Sequence, residues 1–63
     1  MNSPQATPDA IRVMIVDDEP PARARLGRML AELPDVTVVG EAANGTDALA
    51  GAARLLPDVV LLD

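Results

Sequence analysis

The chain alternates between short apolar runs and amphipathic stretches. Residues 11–16, IRVMIV, are rich in β-branched side chains and broken only by Arg12. Such a run predicts a strand buried on both faces of a parallel sheet. Asp17, Asp18 and Glu19 follow, then Pro20 and Pro21. Proline is favoured in the first turn of a helix, and acids near that turn are stabilised by the helix dipole. Leu26, Met29, Leu30 and Leu33 then recur at i, i+3, i+4 and i+7, which predicts a helix with these four facing the core. Arg23, Arg25, Arg28 and Glu32 fill its other positions. Gly27 weakens the helix slightly and Pro34 ends it.

The second half repeats the alternation. Residues 36–39, VTVV, predict a strand that Gly40 and Glu41 extend. Asn44 is a helix cap, with Asp47 in the first turn behind it. Leu49, Ala52, Ala53 and Leu56 form the next helical stripe, whose small alanines let the helix lie close to a sheet, and Pro57 stops it. Residues 58–62, DVVLL, predict a third strand, followed by Asp63. Residues 1–10 carry two prolines and no periodic pattern, which predicts a disordered tail before a domain over 11–63. The order β-α-β-α-β implies right-handed crossovers and a parallel sheet, the α/β class.

Composition narrows the chemistry. At 63 residues the chain is at most one small domain. It has no cysteine and no histidine, which removes disulfides, thiolate metal sites and the usual zinc ligand and general base. Without aromatic residues it has no stacking platform for bases and no interfacial belt for a membrane. Ten acids against five arginines leave a net charge of −5, which repels nucleic-acid phosphates but leaves room for a divalent cation. No apolar run approaches the ~20 residues of a membrane span, and no signal peptide is recognisable, so a cytoplasmic location is the default expectation.

Two features carry the candidate chemistry. Asp17, Asp18 and Glu19 stand directly after the first strand, and Asp63 directly after the third. In an open α/β sheet, ligands bind beyond the carboxyl ends of the strands. If the third strand pairs with the first, these carboxylates converge, since neighbouring strands lie ~4.8 Å apart. Two unit charges 4 Å apart repel by about 4 kcal/mol at an effective dielectric of about 20. With no lysine or histidine, the expected compensator is a bound Mg²⁺ or a proton. Mg²⁺ prefers oxygen ligands and commonly takes one or two carboxylates. An aspartate beside such an ion can attack a phosphoryl group in line and form an aspartyl phosphate. Singly, an acidic triplet before a helix is more often capping and solvation, and an aspartate after a strand more often a loop residue. Their coincidence at the first and third strand ends favours the functional reading.

The segments IRVMIVDDEP, RLGRMLAEL, VVGEAANGTDAL and PDVVLLD resemble the response-regulator receiver family of two-component signalling over residues 11–63. The resemblance implies a truncated flavodoxin-like receiver fold, βαβαβ with a three-stranded parallel sheet in the order 2-1-3. It implies that Asp63 accepts a phosphoryl group from a sensor histidine kinase. Asp18 would be a direct Mg²⁺ ligand, Asp17 an acid acting on the metal mostly through water, and Asp63 the third metal-site residue. Phosphorelay signalling, not enzymatic turnover, is then the expected function. DDEPPARARL also resembles the LytTR-type regulators, in which DNA would be bound only through a C-terminal output domain absent from this chain.

A complete receiver is roughly twice as long. The family's switch Ser/Thr, its late lysine and the loop after the phosphoacceptor all fall beyond position 63, so these residues alone are expected to be unstable and poor phosphoryl acceptors. The alternatives are a receiver-like binding module, or a nonfunctional fragment, without phosphotransfer. An aspartate-nucleophile phosphatase is disfavoured by the spacing D-D-E-P. A dinucleotide-binding half is disfavoured because no G-x-G-x-x-G follows the first strand.

Overall fold

The computed structural model describes residues 10–62. Five elements follow one another: β1 (Ile11–Val16), α1 (Pro20–Ala31), β2 (Val36–Ala42), α2 (Gly45–Leu55) and β3 (Val59–Leu62). The strands form one parallel sheet in the order β2-β1-β3; the alternating pattern implies the parallel sheet, and the family resemblance implies its flavodoxin-like order. The expected disordered tail falls, apart from Ala10, outside the described residues, and so does Asp63.

β1 is the core. Val13, Met14, Ile15 and Val16 are all buried, with Ile15 wholly inaccessible. Full burial of side chains of this size stabilises a fold by about 1.5–3 kcal/mol each. Alternation along the strand sends them to opposite faces. Met14 and Val16 join Ala42 in a cluster capped by Ala48 and Ala52 of α2. Ile15 faces α1, its Cδ1 standing 4.0 Å from where a Cβ on Gly27 would lie. The helices therefore cover opposite faces, as right-handed crossovers from a central strand require.

Both helix stripes differ from the sequence expectation. In α1, Leu26 and Leu30 are half-buried, but Met29 is exposed, as is Leu33 just beyond the end of the helix. The inward face runs through Arg23, Leu26, Gly27 and Leu30, so Arg23, expected only among the positions outside the apolar stripe, takes an inner one. In α2 the expected stripe of Leu49, Ala52, Ala53 and Leu56 is out of phase. Leu49 and Leu56 are 76% and 71% exposed, while Ala48, Gly51, Ala52 and Leu55 face the sheet. The physical reason is close packing. An ideal Cβ on Gly51 would lie 2.6 Å from the Met14 Cε, and one on Gly40 would lie 2.5 Å from the Leu55 Cδ1. A helix seated this near a strand admits Gly51 and Ala48 at the contact and places a leucine, Leu55, only where Gly40 leaves room, while Leu49 and Leu56 stay exposed. Leu49 then lines an open apolar groove with Val60 and Leu62 of β3.

The element ends follow local chemistry. Pro20 occupies the first turn of α1, where a missing N–H costs nothing. α1 ends at Ala31, ahead of Pro34, in a turn closed by the Leu33 N–H to the Leu30 carbonyl at 3.0 Å. Asn44 caps α2 as expected: its Oδ1 accepts from the Asp47 N–H at 2.8 Å, and its Nδ2 donates to Asp47 Oδ2 at 3.2 Å. Leu56 ends α2 in the left-handed region at φ 51°. Asp58, expected within the third strand, stands just before it. Its Oδ2 accepts from the Arg12 N–H at 2.9 Å and its own N–H donates to the Arg12 carbonyl at 2.7 Å. Arg12 Nη1 also reaches the Leu56 carbonyl at 2.8 Å. This clasp fixes the start of β3 on β1 and sets the register that ends with Leu62 beside Val16.

Candidate functional site

The three strands finish level. Val16 pairs with Ala42 on one side and with Leu62 on the other. The chain leaves β1 at this edge through Asp17, Asp18 and Glu19 before entering α1.

Asp17 is the fixed member of the triplet and is 5% exposed. Its N–H donates to the Ala42 carbonyl at 3.0 Å, continuing the β1–β2 ladder by one residue. Its Oδ1 accepts from the Glu19 N–H at 2.9 Å, the side-chain-to-backbone bond two residues on that aspartate makes in turns. Its carbonyl accepts from Arg23 Nη1 at 2.6 Å. Asp18 and Glu19 are exposed, and Glu19 precedes α1 as its cap residue without a side-chain capping bond. The two expected metal-site acids are thus brought to one turn, one buried and braced, the other facing solvent. The third, Asp63, lies outside the described residues.

Arg23 and Glu41 are the site residues that sequence reasoning missed. Arg23 rises from the first turns of α1, its backbone N–H bonded to the Glu19 carbonyl at 3.0 Å. Its guanidinium spans two partners, the Asp17 carbonyl and Glu41 Oε1, the latter 3.6 Å from Nε. Arg23 brings a cation to this edge, but its hydrogen bond goes to the Asp17 carbonyl and its ion pair to Glu41, while the expected compensator of the aspartate carboxylates is Mg²⁺ or a proton. The signal was present in the pattern, because Arg23 stands at i−3 from Leu26 and i−7 from Leu30 and so shares their inward face.

No group of three or more potential metal ligands gathers among the described residues. Asp17 and Asp18 nevertheless suit Mg²⁺ by donor chemistry. Both offer oxygen only, one Asp17 oxygen is already oriented by the Glu19 N–H, and this ion typically uses one or two carboxylates and keeps several waters.

Comparison with known proteins agrees with this architecture. The family model of the response regulator receiver domain matches residues 13–63. Transcriptional regulatory protein BtsR of Salmonella typhi is 47% identical over 53 residues, covering 84% of this chain and 22% of that protein. Response regulator GacA of Pseudomonas viridiflava is also 47% identical over 53 residues, covering 84% of this chain and 25% of that protein. A protein-glutamate methylesterase/protein-glutamine glutaminase of Methanospirillum hungatei is 43% identical over 53 residues, covering 84% of this chain and 15% of that protein. The chain belongs to the response-regulator receiver family, the receiver module of two-component signalling. It spans a quarter or less of the length of these relatives, two of which are regulators by name and one an enzyme. No helix among the described residues is long and apolar enough to cross a membrane.

Proposed function

We propose that the chain is the phosphoryl-accepting part of a phosphorelay, with Asp63 as acceptor and a sensor histidine kinase as donor. The observation that carries this reading is the pairing of Val16 with Leu62 at one sheet edge. In sequence, each of these residues is followed by an aspartate, Asp17 and Asp63. One carboxylate oxygen of Asp63 attacks phosphorus as the bond to the donor's imidazole nitrogen breaks, and the phosphoryl group ends as an acyl phosphate. Asp18 would hold Mg²⁺ directly and Asp17 through water; the bound ion supplies charge neutralisation at the phosphate oxygens. Asp17, braced at three of its polar groups, keeps the turn in one geometry before phosphate arrives. The proposed setting is cytoplasmic, and the output, DNA binding included, would be delivered by a further domain.

The test is labelling of the full-length protein by a small phosphodonor with Mg²⁺, read by intact mass. Gain of one phosphoryl group in the wild type, lost in Asp63→Asn and on chelation, is expected. Equal labelling of Asp63→Asn overturns the assignment of the acceptor. A wild type that binds Mg²⁺ but accepts no phosphoryl group, from this donor or a histidine kinase, would make the chain a receiver-like binding module.

A further inference from the structure

We infer that Arg23 is a positioning residue for the metal site: it holds the turn bearing Asp17 and Asp18 through the Asp17 carbonyl, with Glu41 as its ion-pair partner. The inference rests on the proposed metal reading of the acidic turn and adds to it a residue outside that turn.

The geometry supporting it is specific. Arg23 Nη1 donates to the Asp17 carbonyl at 2.6 Å, while Nε stands 3.6 Å from Glu41 Oε1. The Arg23 side chain is 20% exposed, which partly shields its bond to the Asp17 carbonyl, while the Glu41 side chain is 48% exposed. A planar guanidinium can aim one N–H at the carbonyl while another nitrogen faces the Glu41 carboxylate, which a lysine ammonium on a flexible stem does not reproduce. The link also ties α1, β1 and β2 together at the edge where the strands finish. Asp17 has its N–H on Ala42, its carboxylate on Glu19 and its carbonyl on Arg23. Of these, only the last depends on a side chain of another element, so it is the one bond a substitution can remove without altering Asp17.

Charge and position act in opposite directions here. Deleting the cation alone would leave Glu41 uncompensated and draw Mg²⁺ in electrostatically, while freeing the turn would weaken binding. Removing Arg23 and Glu41 together, as Arg23→Met with Glu41→Gln, leaves the net charge unchanged and exposes the positional effect by itself.

The experiment is a Mg²⁺ titration of the full-length protein, followed through the backbone amide resonances of Asp17, Asp18 and Glu19. Wild type, Arg23→Lys and the charge-balanced pair are compared, with metal-free melting measured alongside. About tenfold weaker binding by the pair, the loss of one charge-assisted hydrogen bond, is expected, with Arg23→Lys in between and metal-free melting little changed. Equal affinity of wild type and pair overturns the positioning role and leaves the metal reading standing. Absence of saturable binding by the wild type refutes the metal reading itself, and this inference with it. If the pair does not fold, Arg23→Lys decides by the same criterion: wild-type affinity overturns the role, and weakened affinity at preserved charge supports it.

Discussion

Replacing Gly51 by alanine sets a local gain against a packing loss. Gly51 lies inside α2, where alanine is favoured over glycine by about 1 kcal/mol. The added Cβ would stand 2.6 Å from the Met14 Cε and 3.6 Å from its Sδ. The thioether tip is flexible, but Met14 is 1% exposed and packed with Val16 and Ala42, so the tip must give up that packing and swing towards the open space lined by Gly40 and Leu55. Overpacking of this kind costs about 1–3 kcal/mol. The net expectation for Gly51→Ala is a loss of about 1 kcal/mol. Met14→Val, which removes the obstructing tip, is itself destabilising because it leaves a void. In the double variant the methyl added at position 51 enters that void, so the two losses are less than additive by about 1 kcal/mol or more. Urea denaturation of the four proteins, followed by circular dichroism, measures both quantities. A Gly51→Ala variant more stable than wild type, or strict additivity in the cycle, would refute the claim that α2 is seated against β1 at its closest tolerable distance.

Three further outcomes are expected. Asn44→Ala removes the acceptor for the Asp47 N–H and should lower stability by about 1 kcal/mol, visible as a reduced urea midpoint. Leu56→Gly relieves a non-glycine residue at φ 51° whose side chain is 71% exposed, and should raise that midpoint, by up to about 1 kcal/mol. Asp17→Asn keeps an oxygen to accept from the Glu19 N–H, so circular dichroism should be unchanged. Its Mg²⁺ affinity in a calorimetric titration should nevertheless fall about tenfold or more, and undiminished affinity would remove Asp17 from the metal site.

The element order was legible because strand and helix periods differ and because proline punctuates the chain at residues 20, 34 and 57. Asn44 was legible as a cap because capping is decided within four residues. The acidic residues after β1 were legible because a strand end fixes where the next residue emerges. The helix faces were not. Reading the stripes from their leucines assumes that the largest apolar residue points inward, and that fails where the sheet is approached closely enough to demand Gly51 and Ala48 instead. Arg23 was missed for a related reason: charge was taken as a marker of the outer face, although its carbonyl and carboxylate partners come from the end of β1 and from β2, elements that periodicity along α1 does not see. The Arg12–Asp58 clasp joins residues 46 apart and was invisible for the same cause.

The central position of β1 also governs the order of events during synthesis. IRVMIV leaves the ribosome before either of its neighbours, yet it supplies most of the buried residues of the sheet. Its first partner, β2, arrives after one helix; its second arrives only when Val59–Leu62 has emerged. Until then one side of the most apolar strand presents unpaired backbone groups to the cell, the condition that invites mispairing or chaperone capture. Ribosome-bound chains halted between β2 and β3 should therefore be aggregation-prone through β1, and the arrival of β3 on its Arg12–Asp58 clasp is the step that covers that edge of β1.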